Sequence, residues 1–427
     1  MKNQIGIGIL GCGNVGSALV LLLQKKGIDF NIEKIAVKHI NTQRADYIDT
    51  SKLTDDANSV IEDDKVDIVV ELIGGISPAK ALIEKALKKK KPVVTGNKEL
   101  IAKHGIELTE LANKNGVDLL YEASVCGAIP IVRLLKESLA GEDISRIIGI
   151  LNGTTNYILT KMTEERLSFE DSLKMAQNLG YAEKDPTADI KGLDAGAKAA
   201  ILGTIAFATN VDLNSVFIEG IYSLTTDDID FATKNSLVIK LVGVIEKITD
   251  QKDNFGGQVS IRVHPIMISK SHPLASVRNA YNAVFIEGES IGEIMLYGKG
   301  AGGFPTASAV LGDILDASHN ISLKTFNRFI KPKEVAMFNM DELSSEFYIS
   351  VDVADEPGVL AKVAHIFGKN QVSIASMEQI GFGSNAKLVF FTHKAKELNM
   401  TTTVEELSAL DSVRKVGSVI RVMTELS

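Results

Sequence analysis

Apolar residues in the first 121 positions follow two alternating patterns. Runs that are rich in apolar residues and have the length of a buried strand occupy five short stretches: 5–10, 32–37, 67–72, 92–95 and 117–121. Apolar residues at helical spacing fill the intervals, for example at 18–26, 78–90 and 100–115. Buried strands that alternate with helices of this length form a parallel sheet with helices on both faces. The pattern therefore predicts an α/β domain built from βαβ units.

The pattern changes from about Ile129, where helices mix with longer segments of antiparallel character. This mixture predicts a second domain of the α+β class, and the helical spacing at 313–320 indicates a helix that returns to the first domain. The charged stretch at 321–345 is typical of a linker. We expect the following division: 1–130 with about 305–320 returning to it, 131–304, the linker 321–345, and a third domain at 346–427.

The last 80 residues show a compact pattern of their own. Alternating apolar residues at 347–353 predict a half-buried strand, the turn at 355–358 precedes a helical apolar stripe at 359–367, and further elements are predicted at 373–379, 387–392, 402–410 and 418–423. The order strand-helix-strand-strand-helix-strand is that of a ferredoxin-like domain.

Composition excludes several classes of protein. The chain has 427 residues, 46 Lys and Arg against 54 Asp and Glu, and a formal net charge of −8. An acidic balance argues against a nucleic-acid partner, and no apolar stretch is long enough to span a membrane. The N-terminus shows no cleavable signal. Two cysteines, Cys12 and Cys126, are too few for a disulfide framework. We therefore expect a cytoplasmic protein without a nucleic-acid or membrane partner.

A glycine turn after the first predicted strand carries the first chemical signal. Its G-x-G-x-x-G pattern is followed at once by a helix, which is the context that a dinucleotide-binding turn requires. The candidate cofactor residues in it are Gly11, Gly13, Asn14, Val15 and Gly16. The end of the second strand lacks the acid that holds the ribose of NAD, and Lys38 lies there instead. This favours NADP, or use of both cofactors, unless Lys38 is simply a solvated charge. The domain is thus predicted to be a Rossmann-type nucleotide-binding domain.

Two charges interrupt an otherwise apolar helical segment. Asp194 and Lys198 are the only charged residues between 192 and 211, and their spacing places them on one helix face. They form either an exposed ion pair at the helix start or a catalytic lysine oriented by an aspartate. Upstream acids such as Asp189 suit either a substrate ammonium group or a helix cap. Lys98 and Glu122 each follow a predicted strand, at the sheet edge where ligands bind in α/β proteins.

These residues together resemble the homoserine dehydrogenase family. The resemblance rests on seven segments: 71–79, 95–98, 121–130, 152–158, 180–198, 298–308 and, in the tail, 355–360. The segment 180–198 is the most specific of them, and the tail is similar to an ACT regulatory domain. Within the family pattern, Lys38 replaces a common Arg and Cys126 replaces a small residue. Because the glycine turn stands near the start of this sequence, we expect the monofunctional form of the family, without an aspartate-kinase domain.

The resemblance implies a role for each matched residue. It implies that Lys198 is the proton donor and acceptor, that Lys98 is a second lysine at the reacting centre, and that Glu183 and Asp194 hold the amine and hydroxyl ends of homoserine. Asp189 would support them and Tyr181 would line the pocket. Further cofactor contacts are implied for Gly74, Lys98, Gly180 and Gly302. A monovalent cation, usually Na⁺, is implied at Glu122 and the carbonyls of Val125, Gly127 and Ile129.

The activity implied by this resemblance is the NAD(P)H-dependent reduction of L-aspartate 4-semialdehyde to L-homoserine, a step of threonine, methionine and isoleucine biosynthesis. The ACT domain implies an amino-acid effector such as threonine, and the α+β domain implies substrate binding and dimerisation in a homodimer or homotetramer. Two alternatives remain from the residues alone. The chain is either another amino-acid NAD(P) dehydrogenase, or a cofactor and amino-acid sensor without catalysis.

Overall fold

The structure is a computed structural model, and it describes residues 4–27, 30–248, 257–327, 332, 335–383 and 386–423. The chain divides into two compact units. The first unit comprises Met1–Gly153, Asp194–Val216 and Tyr281–Val335, and the second comprises Thr154–Leu193, Phe217–Ala280 and Ala336–Ser427. Within the described residues, no helix combines the length and apolar character that crossing a membrane requires.

Helices and strands alternate through the first 150 residues, and runs of helices and then of strands follow. Up to residue 150 they are β1 (Ile5–Leu10), α1 (Asn14–Lys26), β2 (Phe30–Ala36), β3 (Leu53–Thr54), α2 (Ala57–Glu62), β4 (Ile68–Glu71), α3 (Ala79–Lys88), β5 (Val93–Thr95), α4 (Lys98–Asn115), β6 (Leu119–Leu120), α5 (Ile131–Arg133) and β7 (Ile144–Ile150). The central part contains α6 (Gly153–Glu165), α7 (Phe169–Asn178), α8 (Thr187–Ile190), α9 (Leu193–Ala206), β8 (Phe217–Ile218), α10 (Thr226–Lys234), β9 (Leu237–Ile248), β10 (Gln258–Ser269), β11 (Tyr281–Gly288), β12 (Gly292–Lys299) and α11 (Gly303–Leu323). The remainder contains β13 (Ser344–Val353), α12 (Val359–Lys369), β14 (Ile374–Ile380), β15 (Lys387–Thr392), β16 (Ala395–Lys396), α13 (Glu397–Ser408) and β17 (Val413–Met423).

The first unit contains the parallel sheet that the sequence predicts. Its strand order is β3-β2-β1-β4-β5-β6, with Ile7 of β1 opposite Ile32 on one side and Ile68 on the other. The five predicted strands are confirmed, the first of them to the residue. The chain runs outward from β1 in both directions, so the carboxyl ends of β1 and β4 flank the position where ligands bind in such sheets.

A long helix covers the core of this sheet. Helix α11 begins at Gly303, earlier than the predicted stretch 313–320, and its residues Val310, Leu311 and Ile314 are buried against Ile9 and Leu19. The same unit contains a small antiparallel sheet in the order β12-β11-β7, in which Phe285 lies opposite Met295 and Ile148.

The second unit contains a mixed sheet in the order β9-β10-β17-β13-β15-β14. The C-terminal part has the predicted ferredoxin-like order, with α12 and α13 packed on a core that includes Val351, Phe367 and Phe390. Strand β17 pairs in parallel with β10, where Ile266 lies opposite Arg421. The C-terminal strand is therefore continuous with the strands that precede it in this unit.

Two boundaries differ from those expected. Helix α13 begins at Glu397 rather than 402, because Glu397 is buried and bound by the distant Arg421, a contact that local periodicity does not show. The predicted linker 321–345 lies partly outside the described residues, and its described ends belong to α11 and β13. The domain boundaries given above stay predictions.

Candidate active site

The glycine turn between β1 and α1 is shaped for the close approach of a ligand. A Cβ atom on Gly11 would lie 2.6 Å from the carbonyl oxygen of Leu72, and one on Gly16 would lie 2.4 Å from the carbonyl oxygen of Gly11. A Cβ on Gly13 would meet nothing within 4 Å. Gly11 and Gly16 are thus required by packing, whereas Gly13 leaves space open above the turn.

The helix that follows this turn presents free backbone amides. Helix α1 has no side-chain cap at its N-terminus and no acidic residue in its first turn. Its Asn14 side chain lies against the start of α11, where a Cβ on Gly303 would be 2.6 Å from Asn14 Oδ1. Gly302 precedes α11 with a φ of 117°, and no side chain caps this helix start. Two uncapped helix starts therefore meet at the turn, which favours an anionic group such as a pyrophosphate.

The loop after β4 is held by a fully buried acid. Glu71 accepts hydrogen bonds from the amides of Ile73 (2.7 Å) and Gly74 (3.1 Å) and from Thr95 Oγ1 (2.6 Å). Asn97 donates to the Gly75 carbonyl over 2.6 Å and accepts from the Leu100 amide as the cap of α4. These bonds fix the loop containing Gly74 beside the start of α4. The sequence signal for Glu71 was an acid at the end of an apolar strand, and its structural role was not foreseen.

Asp194 lies between two lysines. Its Oδ1 accepts from Lys98 Nζ, and its Oδ2 accepts from Lys198 Nζ (2.7 Å) and Asn152 Nδ2 (2.8 Å). Lys198 also donates to the carbonyl oxygen of Leu151 over 2.8 Å. The side chains of Asp194 and Lys198 are 4% and 9% exposed. The Asp194–Lys198 pair is therefore buried, and the interpretation as an exposed ion pair at the helix start is wrong.

The charge of Asp194 is maintained by its neighbours. Burial alone would raise the pKa of the Asp194 carboxyl, but the charges of Lys198 and Lys98 and their hydrogen bonds outweigh burial and hold this pKa well below its ordinary range. The group is therefore a carboxylate at neutral pH, with two ammonium groups as partners. Lys98, whose side chain is 44% exposed, is the more accessible of the two.

Both lysines face one cavity. It has a volume of about 260 Å³ and lies at the carboxyl ends of the central strands. Its lining consists of Gly74, Gly75, Gly96, Asn97, Lys98, Glu99, Ala123, Ser124, Cys126, Gly127, Lys198, Gly300, Ala301 and Thr306. Much of the lining is glycine, so a flat ring can approach backbone atoms while two amines face the same space. Cys126 is buried here with a φ of 53°, and its Sγ accepts from Asn282 Nδ2 over 3.5 Å.

Glu122 directly precedes Ala123 and Ser124 of this lining and is 4% exposed. Its Oε1 and Oε2 accept from the amides of Val132 (2.9 Å) and Arg133 (2.7 Å), and its own amide donates to Asp313 Oδ2. Burial raises the pKa of the Glu122 carboxyl. Within the described part of the chain, no group of three or more His, Cys, Asp or Glu side chains has a metal-binding arrangement. Any cation here would therefore depend on carbonyl oxygens.

The remaining predicted substrate residues belong to the second unit. The carbonyl of Tyr181 accepts from Thr154 Oγ1 over 2.7 Å, and its ring lies 5.0 Å from that of Tyr157. Gly180 ends the turn after α7 with a φ of 75°. The Glu183 side chain is exposed, and Asp189 lies within α8. Thr154 and Tyr157, which contact Tyr181, belong to the same unit as Tyr181.

Lys38 is exposed two residues beyond the end of β2. No acidic residue lies at 37–39, as the sequence indicated. In dinucleotide-binding domains the end of the second strand is where the adenosine ribose binds.

Comparison with known proteins identifies the family. Three family models match the chain: "Homoserine dehydrogenase, NAD binding domain" at residues 11–122, "Homoserine dehydrogenase" at 130–315 and "ACT domain" at 347–412. The homoserine dehydrogenase of Corynebacterium glutamicum is 42% identical, over 98% of this chain and 96% of that protein.

Two solved structures are also similar. A homoserine dehydrogenase from Thiobacillus denitrificans has a TM-score of 0.91 and 34% identity, covering 99% of each chain. A hyperthermophilic archaeal homoserine dehydrogenase in complex with NADPH has a TM-score of 0.63 and 29% identity, over 77% of this chain and all of the other. The chain therefore belongs to the homoserine dehydrogenase family of NAD(P)-dependent oxidoreductases and carries a C-terminal ACT domain.

Proposed function

We propose that this protein interconverts L-homoserine and L-aspartate 4-semialdehyde with NADP or NAD as the hydride carrier. One observation supports this assignment most strongly: a buried aspartate holds two lysines at one cavity, at the sheet edge where a dinucleotide binds. The full-length similarity to homoserine dehydrogenases favours this activity over another amino-acid dehydrogenase or a sensor without catalysis.

The two lysines supply proton transfer and charge stabilisation. When bound, the nicotinamide ring supplies the hydride that reduces the aldehyde carbon. Negative charge then develops on the aldehyde oxygen, and the Lys198 ammonium group stabilises it and donates the proton. Lys98 adds a second positive charge beside the same cavity. Asp194 balances both charges, and the Leu151 carbonyl fixes the direction of the Lys198 side chain.

The amino-acid end of the substrate is assigned to acidic residues. We assign the amine and hydroxyl ends of homoserine to Glu183 and Asp194, with Asp189 in support and Tyr181 as a pocket residue. The exposed carboxylate of Glu183 suits an ammonium group. Holding this end directs the reacting carbon toward the cofactor, and orientation of this kind contributes several kcal/mol to catalysis.

The cofactor residues proposed are those of the glycine turn, Gly11, Gly13, Asn14, Val15 and Gly16, together with Lys38, Gly74, Lys98, Gly180 and Gly302. The open space at Gly13 and the uncapped start of α1 suit the pyrophosphate. Lys38, which stands where NAD-binding domains have an acid, suits a 2′-phosphate, so we expect NADP to be preferred. The archaeal relative in complex with NADPH supports a nicotinamide cofactor.

A monovalent cation, Na⁺, fits the donor set at Glu122. Each oxygen of this carboxylate accepts one amide and keeps further lone pairs, and a cation would offset the burial that raises the Glu122 pKa. The carbonyls of Val125, Gly127 and Ile129 would complete the site. Its role would be to fix the turn between β6 and α5, next to the cavity.

The ACT domain and the assembly complete the proposal. ACT domains commonly bind amino acids, so we propose threonine as an effector of this chain. We also propose a homodimer or homotetramer, a place in threonine, methionine and isoleucine biosynthesis, and a cytoplasmic location.

The experiment is a cofactor-reduction assay of the purified protein. L-homoserine is offered with NADP⁺ or NAD⁺, with and without Na⁺ and L-threonine, and absorbance of the reduced cofactor is followed. We expect reduction that requires homoserine and is faster with NADP⁺. Protein that binds the cofactor but gives no reduction with either form would contradict the proposed activity.

A further inference from the structure

A buried arginine in the C-terminal strand joins two carboxylates of the second unit. Arg421 of β17 donates through Nε and Nη2 to Glu397 and through Nη1 to Glu219 Oε2, each over 2.7 Å. The side chains of Arg421 and Glu397 are 9% and 7% exposed. The guanidinium group also lies over the ring of Phe217, 5.0 Å from its centre. The arginine therefore links the ACT domain to a segment outside it.

We call this segment, residues 218–221, the connecting segment; it contains Glu219, the partner of Arg421. The amide of Glu219 donates to the carbonyl oxygen of Val263 in β10 over 2.7 Å. The amide of Ile221 donates to the carbonyl oxygen of Ile190 over 2.9 Å, and a Cβ on Gly220 would lie 2.1 Å from the same oxygen. The connecting segment thus packs without a gap against the end of α8.

The connecting segment contacts residues 189–192, and these include Asp189, a proposed substrate-binding residue. Asp189 lies in α8, and its carbonyl accepts from the amide of Gly192 over 2.9 Å. A Cβ on Gly192 would lie 3.2 Å from Ile218 and 3.3 Å from the carbonyl of Glu219. The connecting segment therefore fixes the turn that contains Asp189. Arg421 binds the connecting segment through Glu219.

We propose that Arg421 is a positioning residue for the amino-acid substrate. Its ion pair with Glu219 fixes the connecting segment against residues 189–192, so the C-terminal strand sets how well the protein binds homoserine. The inference rests on the proposed function, which assigns substrate binding to Glu183 and Asp189. A guanidinium group suits this task because its planar donors bind both carboxylates in fixed directions.

Glu219→Gln is the direct test, since it removes the charge of one partner and keeps its shape. We expect KM for homoserine to rise about three- to tenfold while kcat stays within about twofold, because couplings of this kind are modest. KM for NADP⁺ should not change. Arg421→Lys, which keeps the charge but loses the fork, should raise KM for homoserine in the same direction.

Two controls separate positioning from stability. Glu397→Gln removes the charge of the carboxylate that orients Arg421 but keeps Glu219, so it should raise KM for homoserine less than Glu219→Gln does. Glu246→Gln breaks a comparable pair, in which Arg262 Nη1 lies 2.6 Å from Glu246 Oε1, away from the connecting segment. Both controls should lower the unfolding temperature, and Glu246→Gln should do so without raising KM for homoserine. An unchanged KM in Glu219→Gln, or an equal rise in the controls, would overturn the proposal.

Hydrogen exchange provides a readout that needs no activity. In Glu219→Gln the amides of residues 187–192 should exchange faster than in the wild type, and in Glu246→Gln they should not. If the wild type lacks homoserine-dependent activity, the proposed function fails, and this exchange measurement still decides the positioning role. Equal exchange in Glu219→Gln and the wild type would overturn it.

Discussion

Substitution of Asp194 by Asn tests the charge arrangement at the cavity. The amide keeps the shape of the carboxylate and one acceptor oxygen, but it removes the negative charge between Lys98 and Lys198. Removing one partner of a buried ion pair costs about 3–5 kcal/mol, because the other charge stays buried. Lys98 is 44% exposed and can turn to water, whereas Lys198 is 9% exposed and retains the Leu151 carbonyl. We therefore expect a loss near the lower limit, about 3 kcal/mol.

The assay is equilibrium unfolding in urea of three proteins: wild type, Asp194→Asn, and Asp194→Asn combined with Lys198→Met. The double variant removes both buried charges, so it should recover at least half of the stability that the single variant loses. Both variants should reduce turnover by about a hundredfold or more, because the positive charge is misplaced or absent. A single variant as stable as the wild type, or a double variant no more stable than the single one, would refute the reasoning.

Two further predictions concern other parts of the first and second units. Gly13→Ala should leave the unfolding temperature unchanged and weaken NADP⁺ binding at least about tenfold, whereas Gly16→Ala should destabilise the fold by about 1–3 kcal/mol, because only the second Cβ meets protein atoms. Calorimetry with and without cofactor measures both, and equal effects would contradict the assigned roles. Burial lowers the pKa of Lys240 to about 8, so between this value and 10.5 the unfolded chain binds a proton that the folded chain does not, and stability rises with pH. Relative to Lys240→Met, the wild type should therefore gain about 2 kcal/mol of unfolding free energy between pH 7.5 and 9.5, and a constant difference would argue against this pKa.

Local patterns predicted much of the fold because they report directly on strands, turns and helices. The first strand, the glycine turn and α1 form one continuous signal of this kind. Helix α13 was placed too late, since its first turn is held by Arg421, which is 24 residues away in sequence. Buried Lys240 was missed, although a lysine inside the apolar run of β9 was a usable signal.

The site was predictable only in part, because several of its contacts also join residues that are distant in sequence. Asp194 and Lys198 are one helical turn apart, so their pairing follows from spacing. Lys98 is 96 residues from Asp194, so spacing predicts Lys98 only at the ligand-binding edge of the sheet, and its role beside Lys198 rests on the family resemblance. Asn152 and Glu71 lie within segments that carry the resemblance, but the sequence predicts no role for them because their hydrogen bonds depend on the folded chain. Spacing reports on neighbours along the chain, whereas convergence at the sheet edge is a property of the fold.

The central claim is that Lys198 transfers the proton in a dehydrogenase reaction. The most direct measurement compares homoserine-dependent reduction of NADP⁺ by the wild type and by Lys198→Met, with cofactor binding and unfolding temperature measured on the same samples. The account predicts that the variant folds and binds NADP⁺ but loses at least about a hundredfold in kcat. A folded, cofactor-binding Lys198→Met protein that turns over near the wild-type rate would contradict it.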